Sequence, residues 1–325
     1  MSNSKKVEVI PSGISFSCHG NILQDALSKG IALEHSCKNG SCGVCSAKLL
    51  SGIVEDQYGK EISSGKFLTC QSKAKTDIVI EANYYPELVG INEITTPCKV
   101  TEIKYVTDDI VVINFRLPPT SKFEYLPGQY VNLKFNGVTR SYSIASAINN
   151  SKGLELHIRK VPNGKMSNLI FGSIKEGTLM RLEGPKGTFF VKNNQKPIIL
   201  LAGGTGIAPI KAILEDLIAK NDPRAICVYW GMSTSDTFYV IELEKWAERY
   251  DNITYVPVLF SSVGHWEGRR GFVHEAVCDD FESLSEYEVY ACGSPLMIDA
   301  AKKEFCKLGL PMDSFHSDAF IAASS

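Results

Sequence analysis

The spacing of four cysteines constrains this chain more than any other feature. Cys37, Cys42 and Cys45 crowd one short run, and Cys70 follows, so that four, two and twenty-four residues separate successive thiols. That is the plant-type ligand spacing for a 2Fe-2S cluster, with three thiolates on one tight loop and one from a distant segment. Such a loop must turn sharply and aim N–H groups at anionic sulfur, which suits Gly40 and Gly43. Structural zinc usually shows two C-x2-C knuckles, and only Cys42 and Cys45 have that spacing. Disulfide frameworks belong to small secreted chains, whereas this one has 325 residues and no apolar stretch after Met1-Ser2-Asn3-Ser4-Lys5-Lys6.

Composition narrows the remaining classes. A net charge of −2 argues against a nucleic-acid partner. No apolar run reaches the roughly 18–20 residues that cross a bilayer, so no membrane span is expected. Reduced thiols and the lack of an export signal point to the cytoplasm.

The chain reads as three segments. Residues 1–90 carry the cysteine loop among short strands, with Lys6–Ile10 and Ile14–Cys18 alternating as a hairpin. Residues 98–192 read as all-β, with strands at Ile110–Phe115, Tyr130–Lys134 and Leu154–Ile158 separated by Pro- and Gly-bearing turns. From 193 to 325 strands alternate with helices. The apolar run Pro197–Ala202 has the character of a buried parallel strand. The expected fold is multidomain, α+β and α/β: a β-grasp ferredoxin-type domain, an antiparallel barrel and a parallel-sheet nucleotide-binding domain.

Two further clusters carry chemistry. Arg140-Ser141-Tyr142-Ser143 ends a predicted barrel strand. Its arginine can fork onto a diphosphate, its tyrosine offers a flat face, and Ser143 can hydrogen-bond a ring edge. Gly203-Gly204-Thr205-Gly206 follows the buried strand and opens a helix at Pro209, a turn through which backbone N–H groups reach a diphosphate. A glycine-rich turn is also a common bare β-to-α connection, and the strand–turn–helix context is what favours nucleotide.

Arg140-Ser141-Tyr142-Ser143 matches the R-x-Y-[ST] signature of the ferredoxin–NAD(P) reductase superfamily. The pair His157 and Arg159, followed by Gly164-Lys165-Met166-Ser167, resembles the strand, loop and helix start that hold the FAD diphosphate there. Cys292-Gly293-Ser294-Pro295 resembles the C-G-x-P element, whose cysteine lies beside the reacting nicotinamide. By that resemblance Ser143 and Cys292 stand at the catalytic centre, although packing at a strand end accounts equally for Cys292. NADH is expected over NADPH, because Asp236 can accept from a free ribose hydroxyl and repel a 2′-phosphate. Arg269 and Arg270 lie further on as alternative phosphate partners.

All three segments resemble ferredoxin-type oxygenase reductases. More narrowly, Phe67–Lys75, Asn83–Leu88, Gly187–Val191 and Ser317–Phe320 resemble the CDP-6-deoxy-Δ3,4-glucoseen reductase family, although the Cys45–Cys70 spacing is shorter than that family's. The resemblance implies electron flow from NADH through FAD and 2Fe-2S to a partner protein. That partner would be a pyridoxamine-phosphate-dependent dehydrase acting on CDP-4-keto-6-deoxyglucose, on the way to 3,6-dideoxyhexoses of surface polysaccharide. It also places the aromatic ring of Phe320 near the flavin, with plain packing as the competing reading. The rival implication is an oxygenase partner. A non-enzymatic carrier or sensor would require vestigial nucleotide sites, yet both signatures are intact.

Overall fold

The computed structural model describes residues 4–35, 38, 40, 43, 45–148, 153–260 and 266–320, and Asp236 by its backbone alone. The chain divides into two compact units. The first is Met1–Asn92 with Lys186–Thr188, and the second is Glu93–Pro185 with Phe189–Ser325.

In the first unit, β1 (Lys5–Ile10) and β2 (Ile14–Cys18) form the hairpin expected from their alternation. Val7 and Val9 point inward with Phe16 and Cys18, against α1 (Ile22–Ser28). The Asn21 side chain caps that helix by accepting from the Gln24 N–H, and its amide donates to the Cys70 carbonyl at 2.8 Å. After the cysteine loop come β3 (Ser46–Ser51), β4 (Val54–Glu55), β5 (Glu61–Ile62), β6 (Gly65–Leu68), β7 (Lys73–Ala74) and β8 (Ile78–Glu81). The sheet order is β2-β1-β8-β3-β6, with β1 and β8 parallel and a small β5-β4-β7 sheet beside it.

The second unit begins with an antiparallel sheet. Its strands are β9 (Ile94–Tyr105), β10 (Ile110–Arg116), β11 (Tyr130–Phe135), β12 (Val138–Ser143), β13 (Leu154–Arg159) and β14 (Leu179–Lys186), in the order β12-β11-β14-β9-β10-β13. A bridge from Ile144 to Leu156 brings the two edges together, so the sheet nearly closes into a barrel. Val111, Ile113, Phe115, Val131, Leu133, Leu156 and Ile158 fill it, and the inward residues of each strand alternate with outward ones. Helix α2 (Lys165–Gly172) packs on β12.

A parallel sheet completes the unit. Its elements are β15 (Ile198–Gly203), α3 (Ile207–Ala219), β16 (Ile226–Met232), α4 (Glu242–Arg249), β17 (Ile253–Leu259), β18 (Arg269–Arg270), α5 (Val273–Asp280), β19 (Glu288–Gly293), α6 (Pro295–Lys307) and β20 (Phe315–Ala319). The order β18-β17-β16-β15-β19-β20 puts β15 at the centre and reverses direction between β15 and β19. In an open α/β sheet ligands bind beyond the strand ends at that reversal. Ile198 to Ala202 are fully buried, as a strand covered on both faces requires. Ile110 and Phe189 share a core with the β15–α3 layer, so barrel and sheet are packed together there. Among the described residues, no helix is long and apolar enough to cross a membrane.

Candidate active site

Of the four expected cluster ligands, Cys37 and Cys42 lie outside the described residues. Cys45 and Cys70 are brought together, buried, with their sulfurs 2.8 Å apart. That separation exceeds a disulfide bond of about 2.0 Å. Strand β3 starts at Ser46 and fixes the first thiol. The 3-10 turn Thr69–Gln71 fixes the second, and the Thr69 N–H donates to the Cys45 carbonyl at 3.0 Å. Gly40 holds φ +84°, and a Cβ there would lie 2.9 Å from Gln71 Cγ, so the loop needs a residue without a side chain. Two convergent buried thiols beside a glycine-rich loop fit a 2Fe-2S cluster.

The flavin residues converge on β12. Arg140 and Tyr142 point from one face of that strand, and the Arg140 guanidinium donates to the Thr139 carbonyl at 2.7 Å. Burial raises the Tyr142 phenol, with Arg140 opposing, so it stays neutral. From the other face the buried Ser143 hydroxyl donates to Asp318 at 3.2 Å. Gly164 caps α2, whose packing on β12 draws the second flavin segment to the first. Within that segment Met166 is core, and the Ser167 hydroxyl donates to the carbonyls of Val161 and Gly164, which braces the loop. Lys165 starts the helix.

The nicotinamide segments meet at the sheet reversal. Gly206 lies so near Cys292 that a Cβ would sit 2.2 Å from the Cys292 carbonyl oxygen. A Cβ on Gly203 would meet Met297 Sδ at 2.5 Å. The turn Gly204–Gly206 is anchored by the Trp230 indole, which donates to the Gly204 carbonyl at 2.9 Å. Cys292 is fully buried, and burial, then the Asp318 carboxylate, push its thiol well up. Cys292 and Asp318 are partners in the β19–β20 ladder, and the Phe320 N–H donates to the Gly293 carbonyl at 2.9 Å. Ser143, Cys292, Asp318 and Phe320 therefore gather at one point between barrel and sheet.

A cavity of about 180 Å³ opens beside the glycine turn, lined by Arg159, Gly204, Met232, Ser233, Phe260 and Phe272 among others. The rings of Phe260 and Phe272 lie 5.1 Å apart at its edge. Arg269, one alternative phosphate partner, is held instead by Asp280 and, at 3.5 Å, Asp279. The Asp236 side chain lies outside what is described.

His157 and Arg159, grouped by sequence with the flavin residues, face the parallel-sheet domain together with Glu155. His157 Nδ1 is 3.0 Å from the Tyr239 hydroxyl, and its Nε2 is 2.9 Å from Glu155. Glu155 in turn meets Lys211 of α3 at 3.1 Å, and Lys211 donates to Glu215 at 2.6 Å and the Ala145 carbonyl at 3.1 Å. Burial alone would raise the Glu155 carboxyl. The His157 hydrogen bond and the Lys211 ammonium outweigh it and hold Glu155 at about 2. Phe260, Phe272, Glu155, Lys211 and Tyr239 were not singled out from sequence, whereas His157 was. Asp318 entered only as part of the Ser317–Phe320 resemblance, with no role of its own.

Comparison with known proteins assigns a family to each of the three segments. Residues 7–75 match the 2Fe-2S iron-sulfur cluster binding domain, 97–191 the oxidoreductase FAD-binding domain and 200–303 the oxidoreductase NAD-binding domain. The chain is 50% identical to Protein RfbI of Salmonella typhimurium, over 98% of this chain and 97% of that one. It is 48% identical to the CDP-6-deoxy-L-threo-D-glycero-4-hexulose-3-dehydrase reductase of Yersinia pseudotuberculosis, over 98% and 99%. The chain belongs to the ferredoxin-type, NAD(P)H-dependent flavoprotein reductases.

Solved structures agree with that placement of the reductase. A cytochrome P450 reductase from Amycolatopsis, GcoB, superposes with a TM-score of 0.77 at 27% identity, covering 98% of this chain and 100% of that one. The ferredoxin reductase of carbazole 1,9a-dioxygenase gives 0.69 at 27%, covering 98% and 99%. FAD, NADH and a 2Fe-2S cluster are the cofactors of the three matched domains.

Proposed function

We propose that this reductase draws electrons from NADH and delivers them singly to a pyridoxamine-phosphate-dependent dehydrase acting on CDP-4-keto-6-deoxyglucose, which completes C3 deoxygenation. The observation that carries this reading is near-full-length identity of 48% to a reductase named for a CDP-6-deoxy-L-threo-D-glycero-4-hexulose 3-dehydrase. Residues 1–90 form the cluster-bearing domain, 98–192 the flavin domain and 193–325 the nicotinamide domain, and the protein works in the cytoplasm.

When bound, FAD accepts a hydride and releases electrons one at a time, which the cluster relays. Cys37, Cys42, Cys45 and Cys70 hold the cluster. Arg140 and the Gly164–Ser167 helix start take the FAD diphosphate, and Tyr142 packs on the flavin. Gly203, Gly204, Thr205 and Gly206 take the dinucleotide diphosphate, Gly293 shapes the turn beside it, and Asp236 selects NADH. Ser143, Cys292 and Phe320 line the reacting centre. The fully buried Cys292 stays a neutral thiol and excludes water there. Asp318 holds a proton more readily than an exposed aspartate, since burial raises its carboxyl while Ser143 opposes.

Reconstitution tests the partner. The reductase, NADH, a pyridoxamine-phosphate-dependent dehydrase and its CDP-sugar should yield a 3-deoxy product. Relatives at 30% identity include a terephthalate 1,2-dioxygenase reductase component. Turnover with an oxygenase, and none with the dehydrase, would reverse the assignment.

A further inference from the structure

Helix α3 opens at the glycine turn, and Lys211 and Glu215, four residues apart, leave one face of it. Both reach the segment that directly follows the flavin signature. Lys211 Nζ donates to the Ala145 carbonyl at 3.1 Å, and the Glu215 carboxylate accepts from the Ala147 N–H at 2.9 Å. A second tier stands behind them on β13. Glu155 meets Lys211 at 3.1 Å and His157 at 2.9 Å, and His157 Nδ1 lies 3.0 Å from the Tyr239 hydroxyl. A carboxylate only accepts, so the ring proton sits on Nε2, and Nδ1 of the neutral ring accepts from Tyr239. Tyr239 in turn stands edge-on to Trp230, whose indole holds the Gly204 carbonyl. The side chains of Glu155, His157, Lys211 and Glu215 are between 2% and 18% exposed.

Charged groups at that depth are a poor glue, because apolar side chains of similar volume often hold two layers as well or better. What directional bonds add is a single relative placement. Here the bonds run from α3 to the backbone two and four residues after Ser143. We propose that Lys211 and Glu215, braced by Glu155, His157 and Tyr239, are positioning residues that fix how closely nicotinamide approaches flavin. This rests on reading Arg140–Ser143 and Gly203–Gly206 as the flavin and dinucleotide segments. None of the five lines the cavity beside the glycine turn, so they act on placement and not on nucleotide affinity. Transfer is steep in geometry, since a misplacement of about 1 Å costs about 100-fold in rate.

The test is stopped-flow reduction of the FAD-loaded protein by NADH, beside NAD+ binding by calorimetry and amide hydrogen exchange over residues 144–148. Tyr239→Phe removes one hydroxyl, keeps the ring, and should lower the limiting rate about fivefold. Lys211→Met should lower it about 50-fold, and Lys211→Arg, which keeps a cation and its donors, should return most of the loss. NAD+ affinity and FAD content should stay within about twofold of the parent in all three. Glu215→Ala should speed exchange of the Ala147 amide about tenfold. Asp216→Asn, which loses only the outward pair with Lys220 on the same helix, should match the parent throughout. An unchanged limiting rate in Tyr239→Phe would overturn the inference, whether or not Lys211→Met folds. So would NAD+ affinity that falls as far as the rate, or unchanged exchange at Ala147 in Glu215→Ala. A parent protein that binds no NAD+ would overturn the dinucleotide reading as well.

Discussion

Ser143 and Asp318, 175 residues apart in the chain, are joined by a hydrogen bond of 3.2 Å that ties the last barrel residue of the flavin signature to the edge strand of the parallel sheet. The hydroxyl donates and the carboxylate accepts. Burial raises the carboxyl, so the folded state resists its ionisation.

That fixes the sign for Asp318→Asn. A raised folded pKa means the group's stabilising effect is complete below pH 3.8 and is lost as pH rises through the folded value. At neutral pH the substitution should therefore raise the melting temperature of the second unit, by about 2 °C. The gain should vanish near pH 3. The substitution alters the Ser143–Asp318 contact at the proposed reacting centre and should slow flavin reduction by NADH by up to about 100-fold in stopped flow. An unchanged rate would assign Asp318 to structure alone.

Glu155 has the opposite sign. Its carboxyl is held at about 2 against an ordinary 4.5, so its contribution is complete above pH 4.5 and fades as pH falls towards 2. Glu155→Gln leaves Lys211 buried beside Glu215 alone, and it should lower stability at pH 7 by about 3 kcal/mol. Denaturation at pH 7 and at pH 2.5 should show the deficit shrinking on the acid side.

Gly206→Ala forces a methyl into the Cys292 carbonyl, 2.2 Å away with only backbone to yield. The two nicotinamide segments must then part, at a cost of about 2–4 kcal/mol. Expected results are weakened NADH binding and FAD content near that of the parent protein. Equal affinity for NADH would mean that the turn and strand β19 do not act as one site.

Cys45→Ser should abolish the electron-paramagnetic signal of the reduced cluster and lower NADH-driven cytochrome c reduction about 100-fold. Reduction of a two-electron dye such as dichlorophenolindophenol should persist, because the flavin signature lies in the other unit. A retained cluster signal would show that Cys45 is not a ligand.

What sequence could reveal follows from the range of each signal. The cysteine spacing, the Arg140–Ser143 signature and the Gly203–Gly206 turn are local, since each chemistry is built within a few residues. Strand periodicity was legible for the same reason, and β1, β2, β10 and β15 fall where alternation or apolar runs put them. The pairings that finish the site are not local. Glu155 with Lys211, His157 with Tyr239 and Ser143 with Asp318 depend on how barrel and sheet meet, and no short pattern encodes that. His157 and Arg159 show the difference well. Their place before Gly164–Ser167 was legible, whereas their contacts across to Tyr239 and the glycine turn depend on how β13 meets the parallel sheet.

Trp230 gives the glycine turn a reporter of its own. Its indole is wholly enclosed, donates to the Gly204 carbonyl, and stands edge-on to Phe238 and Tyr239 at 5.2 and 5.3 Å. Any shift of that carbonyl when nucleotide arrives must alter the polarity felt by a fluorophore with no solvent contact. Nucleotide docking that moves the carbonyl should therefore change this indole's emission, read as a difference over the light from Trp246 and Trp266.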